Sequence, residues 1–126
     1  MKAMKIPVAI LAAILLAALA DGFVLTRQCE DWSTHVEQME RAAVQEDWDT
    51  AQYALEDLTE SWDKWQTYLH ILIDHDEIDH AEELITLCQL HIEEKDTATL
   101  RVTVSQLRCM FSLLAEIEQL NIKNVL

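Results

Sequence analysis

The sequence predicts an all-α fold, in which an N-terminal transmembrane helix leads into an antiparallel three- to four-helix bundle with TPR-like helical hairpins. Three observations predict it. Gly and Pro occur once each, as Gly22 and Pro7, and sheet folds need turns rich in both residues. Apolar residues recur every three or four positions from Leu25 to Ile117, the period of a helix face. Polar, acidic breaks at 46–47, 74–77 and 94–96 divide that pattern into helix-length pieces.

The first piece begins in a different medium. Lys2 and Lys5 flank a short positive segment, and Ile6 to Ala20 follows without a polar side chain. After Asp21-Gly22, Phe23-Val24-Leu25 resumes the apolar character. Read as one helix, residues 6–25 rise about 30 Å, the thickness of a hydrocarbon core. Read as a signal peptide of residues 1–20, Ala18-Leu19-Ala20 offers a small-x-small cleavage site before Asp21. Either way Lys2 and Lys5 stay inside and the rest is exported. The expected organisation is an anchor over 1–25 and an extracytoplasmic acidic domain over 26–126. The anchor reading is favoured because Leu25, Cys29, Trp32, Val36, Met39 and Ala43 form a stripe that starts inside the apolar segment. A continuous helix to about Gln45 is the simplest account. The expected location is the cytoplasmic membrane, single-pass, with the alternative of secretion after cleavage following Ala20.

Asp47 is a good N-cap for a second helix from Trp48 to about Ile73. Trp48, Ala51, Leu55, Leu58, Trp62, Trp65, Leu69 and Leu72 alternate in steps of three and four, a heptad seam. Its tryptophans suit the wide core of a bundle. A third helix is expected from near Glu77, striped by Ile78, Ala81, Ile85, Cys88 and Ile92. Asp96 caps a fourth, striped by Leu100, Val104, Leu107, Phe111 and Leu114, with Asn121–Leu126 as a short tail or one last turn. Asp47-x3-Ala51-x3-Leu55-x2-Leu58 echoes Asp96-x3-Leu100-x3-Val104-x2-Leu107. Two hairpins of one design would produce this echo, and so would any two capped amphipathic helices.

Charge limits the partners. The whole chain carries a net −14. Every acidic residue lies at or after Asp21, where seven basic residues face 23 acidic ones. Such a surface repels nucleic acid and anionic lipid and attracts cations or a basic partner. The expected partners are the membrane, through the N-terminal helix, and a protein, another membrane protein among the candidates. A homo-oligomer paired through the seam of the second helix stays open. Cys29, Cys88 and Cys109 are an odd count without paired short spacings, so neither a disulfide framework nor a zinc knuckle is expected. Buried thiols are the leading reading, with a Cys88–Cys109 bridge as the alternative.

The densest polar cluster is Asp74-His75-Asp76-Glu77-Ile78-Asp79-His80. His75, Asp76, Asp79 and His80 are the candidate metal ligands, since imidazole and carboxylate together suit divalent ions. Their spacing argues against it: His75 and His80 are five apart and do not stack on one helix face. Helix-start caps and dipole partners are the simpler reading. His35, His70 and His91 read as isolated surface or boundary residues. No Gly-rich phosphate loop and no nucleophile elbow is present. No catalytic residue and no cofactor is therefore expected. The leading function is a non-enzymatic interaction or accessory module; the alternatives are a cation-binding sensor at residues 74–80 and a structural oligomer.

Glu46-Asp47-Trp48, Trp62, Trp65, Ile73-Asp74-His75-Asp76-Glu77-Ile78-Asp79 and the ending Leu120-Asn121-Ile122-Lys123-Asn124-Val125-Leu126 resemble a bacterial family of small single-pass membrane proteins, catalogued as a domain of unknown function. That family's ending is Leu-x-x-x-Asn-Ile-Leu, with Val125 here in place of Ile. The resemblance covers nearly the whole chain. It implies an N-terminal anchor and an exported helical domain, and it implies no activity.

Overall fold

The computed structural model describes residues 2–125. They form four helices: α1 (Lys2–Val44), α2 (Trp48–Leu72), α3 (His75–Glu93) and α4 (Thr97–Val125). Short links make sequence neighbours antiparallel. Each helix packs on the next, and α1 lies along α4. The last contact closes a four-helix bundle, so the hairpins wrap one core and do not stack as in a TPR superhelix.

The core is the set of stripes. Leu25, Cys29, Trp32, Val36, Met39 and Ala43 are buried on α1; Ala51, Leu55, Leu58, Trp62 and Leu69 on α2. Ile78, Ala81, Ile85, Cys88 and Ile92 are buried on α3; Leu100, Val104, Leu107, Phe111 and Leu114 on α4. The Val, Leu, Ile, Phe and Met side chains among them contribute roughly 1.5–3 kcal/mol each when removed from water. Most of the heptad seam of α2, from Ala51 to Trp62 and again at Leu69, is thus buried within the chain.

Aromatic rings fill the middle of the core. Trp32 stands 5.1 Å from Trp62 and 5.4 Å from Phe111, centroid to centroid. Trp65 meets the edge of Trp32 at 6.3 Å, and Tyr68 at 5.4 Å. The tilted and edge arrangements are those favoured by ring quadrupoles. Trp48 and Trp65 are only half-buried.

The two hairpins share one turn. Glu46 and Lys95 adopt the left-handed conformation, with φ of 59° and 53°. Before them, Glu46 N–H donates to the Ala43 carbonyl and Asp47 N–H to that of Ala42. Lys95 and Asp96 N–H donate in the same way to Ile92 and His91. This is a Schellman ending, and each is followed at once by an N-cap. Asp47 accepts from the N–H and hydroxyl of Thr50 at 3.2 and 2.7 Å. Asp96 accepts from those of Thr99 at 3.2 and 2.6 Å. The correspondence extends into the core. With Asp47 set on Asp96, the buried Cys29, Trp32, Val36, Met39 and Ala43 fall on the buried Ile78, Ala81, Ile85, Cys88 and Ile92. Ala51, Leu55, Leu58 and Trp62 fall on Leu100, Val104, Leu107 and Phe111, also buried. The sequence echo is a structural repeat of the hairpin.

Boundaries differ from expectation in two places. α3 starts at His75 rather than near Glu77, because Glu77 and Ile78 N–H already bond to the Asp74 carbonyl. α4 runs through the expected tail to Val125.

Candidate functional site

The two ends of the bundle are chemically unlike. At one end lie the paired Schellman turns, where Thr97 Oγ1 donates to the Ala43 carbonyl at 3.3 Å. From there α2 runs back along α1, since Gln28 Nε2 and Trp32 Nε1 both reach Ser61 Oγ at 2.9 Å. The α2–α3 junction therefore lies at the end from which the first half of α1 emerges. Ile71, 77 % exposed, and the half-buried Ile73 stand there beside Asp74, His75 and Asp76.

The emerging half of α1 is apolar and uncovered. Ile6, Val8, Ile10, Leu11, Ile14 and Leu16 are all more than half exposed. Pro7 lies inside this helix, where it supplies no N–H to the carbonyl four residues before it. Among the described residues no helix is long and apolar enough to cross a membrane. The unbroken apolar run of residues 6–20 makes about 22 Å of helix against a core of about 30 Å. The structure thus supplies a continuous exposed helix over the region expected to be an anchor, but not a full span.

The candidate ligands do not assemble as expected. His75, Asp76, Asp79 and His80 are all exposed. Among the described residues no three His, Cys, Asp or Glu side chains come together to hold a metal ion. His75 instead meets His70, the last-turn histidine of α2. Their Nδ1 atoms are 3.2 Å apart and their ring centroids 5.0 Å. By spacing alone His70 reads as isolated. The signal was the two-residue link Ile73-Asp74, which places the end of α2 directly against the start of α3. Asp74 occupies the N-cap but makes no side-chain capping bond, unlike Asp47 and Asp96.

Asp47 and Asp96 have carboxyls held below the usual aspartate range, chiefly by the hydroxyls of Thr50 and Thr99 and then by their backbone N–H groups. His91 is 8 % exposed, so it is a core histidine and not a surface one. Its Nδ1, Nδ1 of His35 and Nε1 of Trp62 find no hydrogen-bond partner. The cysteines separate. Cys29 and Cys88 are buried, while Cys109 is exposed, contrary to the expected burial, and no disulfide joins it to Cys88. Burial pushes the Cys88 thiol up to about 12.

Elsewhere the surface offers shallow grooves. One of about 390 Å³ between α1 and α4 is lined by Cys29, Ser33, Phe111, Ser112 and Gln119. Another of about 590 Å³ holds Arg101 and Arg108. Both arginines are already engaged: Arg101 with Glu40 at 3.3 Å, and Arg108 with Glu40 and Glu37 at 3.4 and 3.6 Å. Across α2 and α3, Gln52 and Gln89 exchange amide bonds at 2.8 and 2.9 Å, and Gln66 donates to Glu82.

No curated protein and no solved structure matches the chain. A family described as a domain of unknown function, DUF4363, matches residues 22–125, the whole bundle from just after the apolar run. With that match covering most of the sequence, the chain belongs to the DUF4363 family.

Proposed function

We propose that the chain is a membrane-attached, non-enzymatic interaction or accessory module whose acidic bundle stands outside the cytoplasm. One observation carries the reading. α1 leaves the bundle as an uncovered apolar helix led by Lys2 and Lys5. An exposed apolar surface of that length calls for a non-aqueous neighbour, and the lysines set its orientation by the positive-inside rule. The bundle's acidic surface favours a basic partner protein over nucleic acid or anionic lipid. A non-enzymatic role accords with the dispersed carboxylates and imidazoles of residues 75–80 and with the engaged arginines of α4.

Topology reporters test the proposal. Alkaline phosphatase fused after Leu126 is expected to be active, and a fluorescent protein that folds only in the cytoplasm is expected to be dark. The chain should pellet with membranes after carbonate washing, and its mass should retain residues 1–25. A mature mass beginning at Asp21 would replace attachment by secretion. A bright fusion in the soluble fraction would overturn both. Turnover in a broad hydrolase screen, lost on His75→Ala, would overturn the non-enzymatic reading.

A further inference from the structure

We propose that His70 and His75 form a two-imidazole site for a divalent transition-metal ion of the zinc, nickel or copper kind. The spacing of the two nitrogens matches that of a chelate. Two nitrogens bound to one tetrahedral zinc ion at about 2.0–2.1 Å stand about 3.3 Å apart, and the two Nδ1 atoms are 3.2 Å apart. The rings are tilted by 49° rather than stacked, so the pairing is made through the nitrogens. Without an ion, one ring N–H supplies the bridge to the other ring's lone pair; when an ion binds beside the pair, that proton moves to the outer nitrogen of its own ring and both Nδ1 lone pairs are free to turn to the ion.

The backbone holds the pair in place. Ile73 N–H donates to the Leu69 carbonyl, and Ile78 N–H to that of Asp74. Both sides of the two-residue link are thereby fixed, and the last turn of α2 has one short route to the first turn of α3. Both histidines are exposed, so an ion enters without unfolding and water completes its coordination. Asp79 follows His75 by one helical turn on the same face and is also exposed. It is placed to accept a hydrogen bond from a metal-bound water. The acidic surface raises the local cation concentration. Imidazole donors select zinc, nickel and copper over calcium and magnesium. The bound ion clips α2 to α3 at the end of the bundle beside the emerging α1.

The test is calorimetric titration of the full-length chain in detergent micelles with zinc, nickel, calcium and magnesium chlorides in turn. One zinc or nickel ion per chain is expected, with no heat from calcium or magnesium. His70→Ala and His75→Ala should each weaken zinc binding at least tenfold, while His80→Ala binds like the wild type. Because both side chains are exposed, the metal-free variants should melt at the wild-type midpoint, which separates lost binding from lost folding. Absence of zinc binding by the wild type overturns the proposal. So does binding that survives both histidine variants, or that is lost only on Asp76→Asn and Asp79→Asn.

Discussion

The indole N–H of Trp32 on α1 donates to Ser61 Oγ on α2 at 2.9 Å. Trp32 is fully buried, so this bond settles the one polar atom of one of the two tryptophans buried in the core. Gln28 donates to the same hydroxyl oxygen at 2.9 Å, which gives Ser61 two donors across the α1–α2 interface. Ser61→Ala leaves the buried indole N–H without a partner. A loss of about 1–3 kcal/mol is expected, read as a lower denaturant midpoint with an unchanged slope.

The paired turns make a second prediction. Non-glycine residues in the left-handed region carry a steric cost of roughly 1–2 kcal/mol. Glu46→Gly and Lys95→Gly remove it, partly offset by the greater freedom of glycine in the unfolded chain. Each variant is expected to gain up to about 1 kcal/mol. The two turns touch, since Thr97 Oγ1 donates to the Ala43 carbonyl that also accepts from Glu46 N–H, so the double variant should depart from the sum of the single gains. Thermal melts of the single and double variants check both points.

Asp47 and Asp96 predict a pH dependence. Their folded carboxyls titrate below the unfolded value because Thr50 and Thr99 hydrogen-bond the charged form. Their stabilisation is therefore present above the ordinary aspartate range and is lost as pH falls through the lowered folded values. Asp47→Ala and Asp96→Ala should lower the melting temperature near about pH 7, and the deficit should shrink near about pH 2. A deficit independent of pH would show that the capping charge is not the cause.

Thiol chemistry should separate the cysteines. Cys109 is exposed, whereas Cys88 is buried with its thiol pushed up to about 12. Thiolate is the reactive form. At about pH 8 an alkylating reagent is expected to label Cys109 in the native chain and Cys88 only after denaturation. Peptide mass spectrometry before and after adding denaturant reads the order directly.

The helical stripes were legible because burial on a helix follows its 3.6-residue period. Trp32, Leu58, Cys88 and Leu107 are core by pattern alone, and all are buried. Asp47 and Asp96 were legible as caps because their chemistry is local. The His70–His75 pair was not, although both residues flank the same acidic segment. Periodicity is a property of one helix, and this pair spans two helices joined by Ile73 and Asp74. Its existence depends on where α2 stops and at what angle α3 begins. Cys109 was misplaced for a related reason. It adjoins the α4 stripe, but the buried arc on α4 is narrower than the run of apolar residues suggests.

The helical character, the Asp47 and Asp96 caps, the main buried stripes and the apolar segment ahead of an acidic region are all legible in the order of residues. These follow from side-chain chemistry and local periodicity, which act over a few residues. Only the tertiary structure decided that the four helices close into one bundle with α1 along α4, that the two hairpins repeat each other in turn and core, and that His70 meets His75. These depend on contacts between residues far apart in sequence or across a junction, and each is set by how the buried stripes fit one another in space.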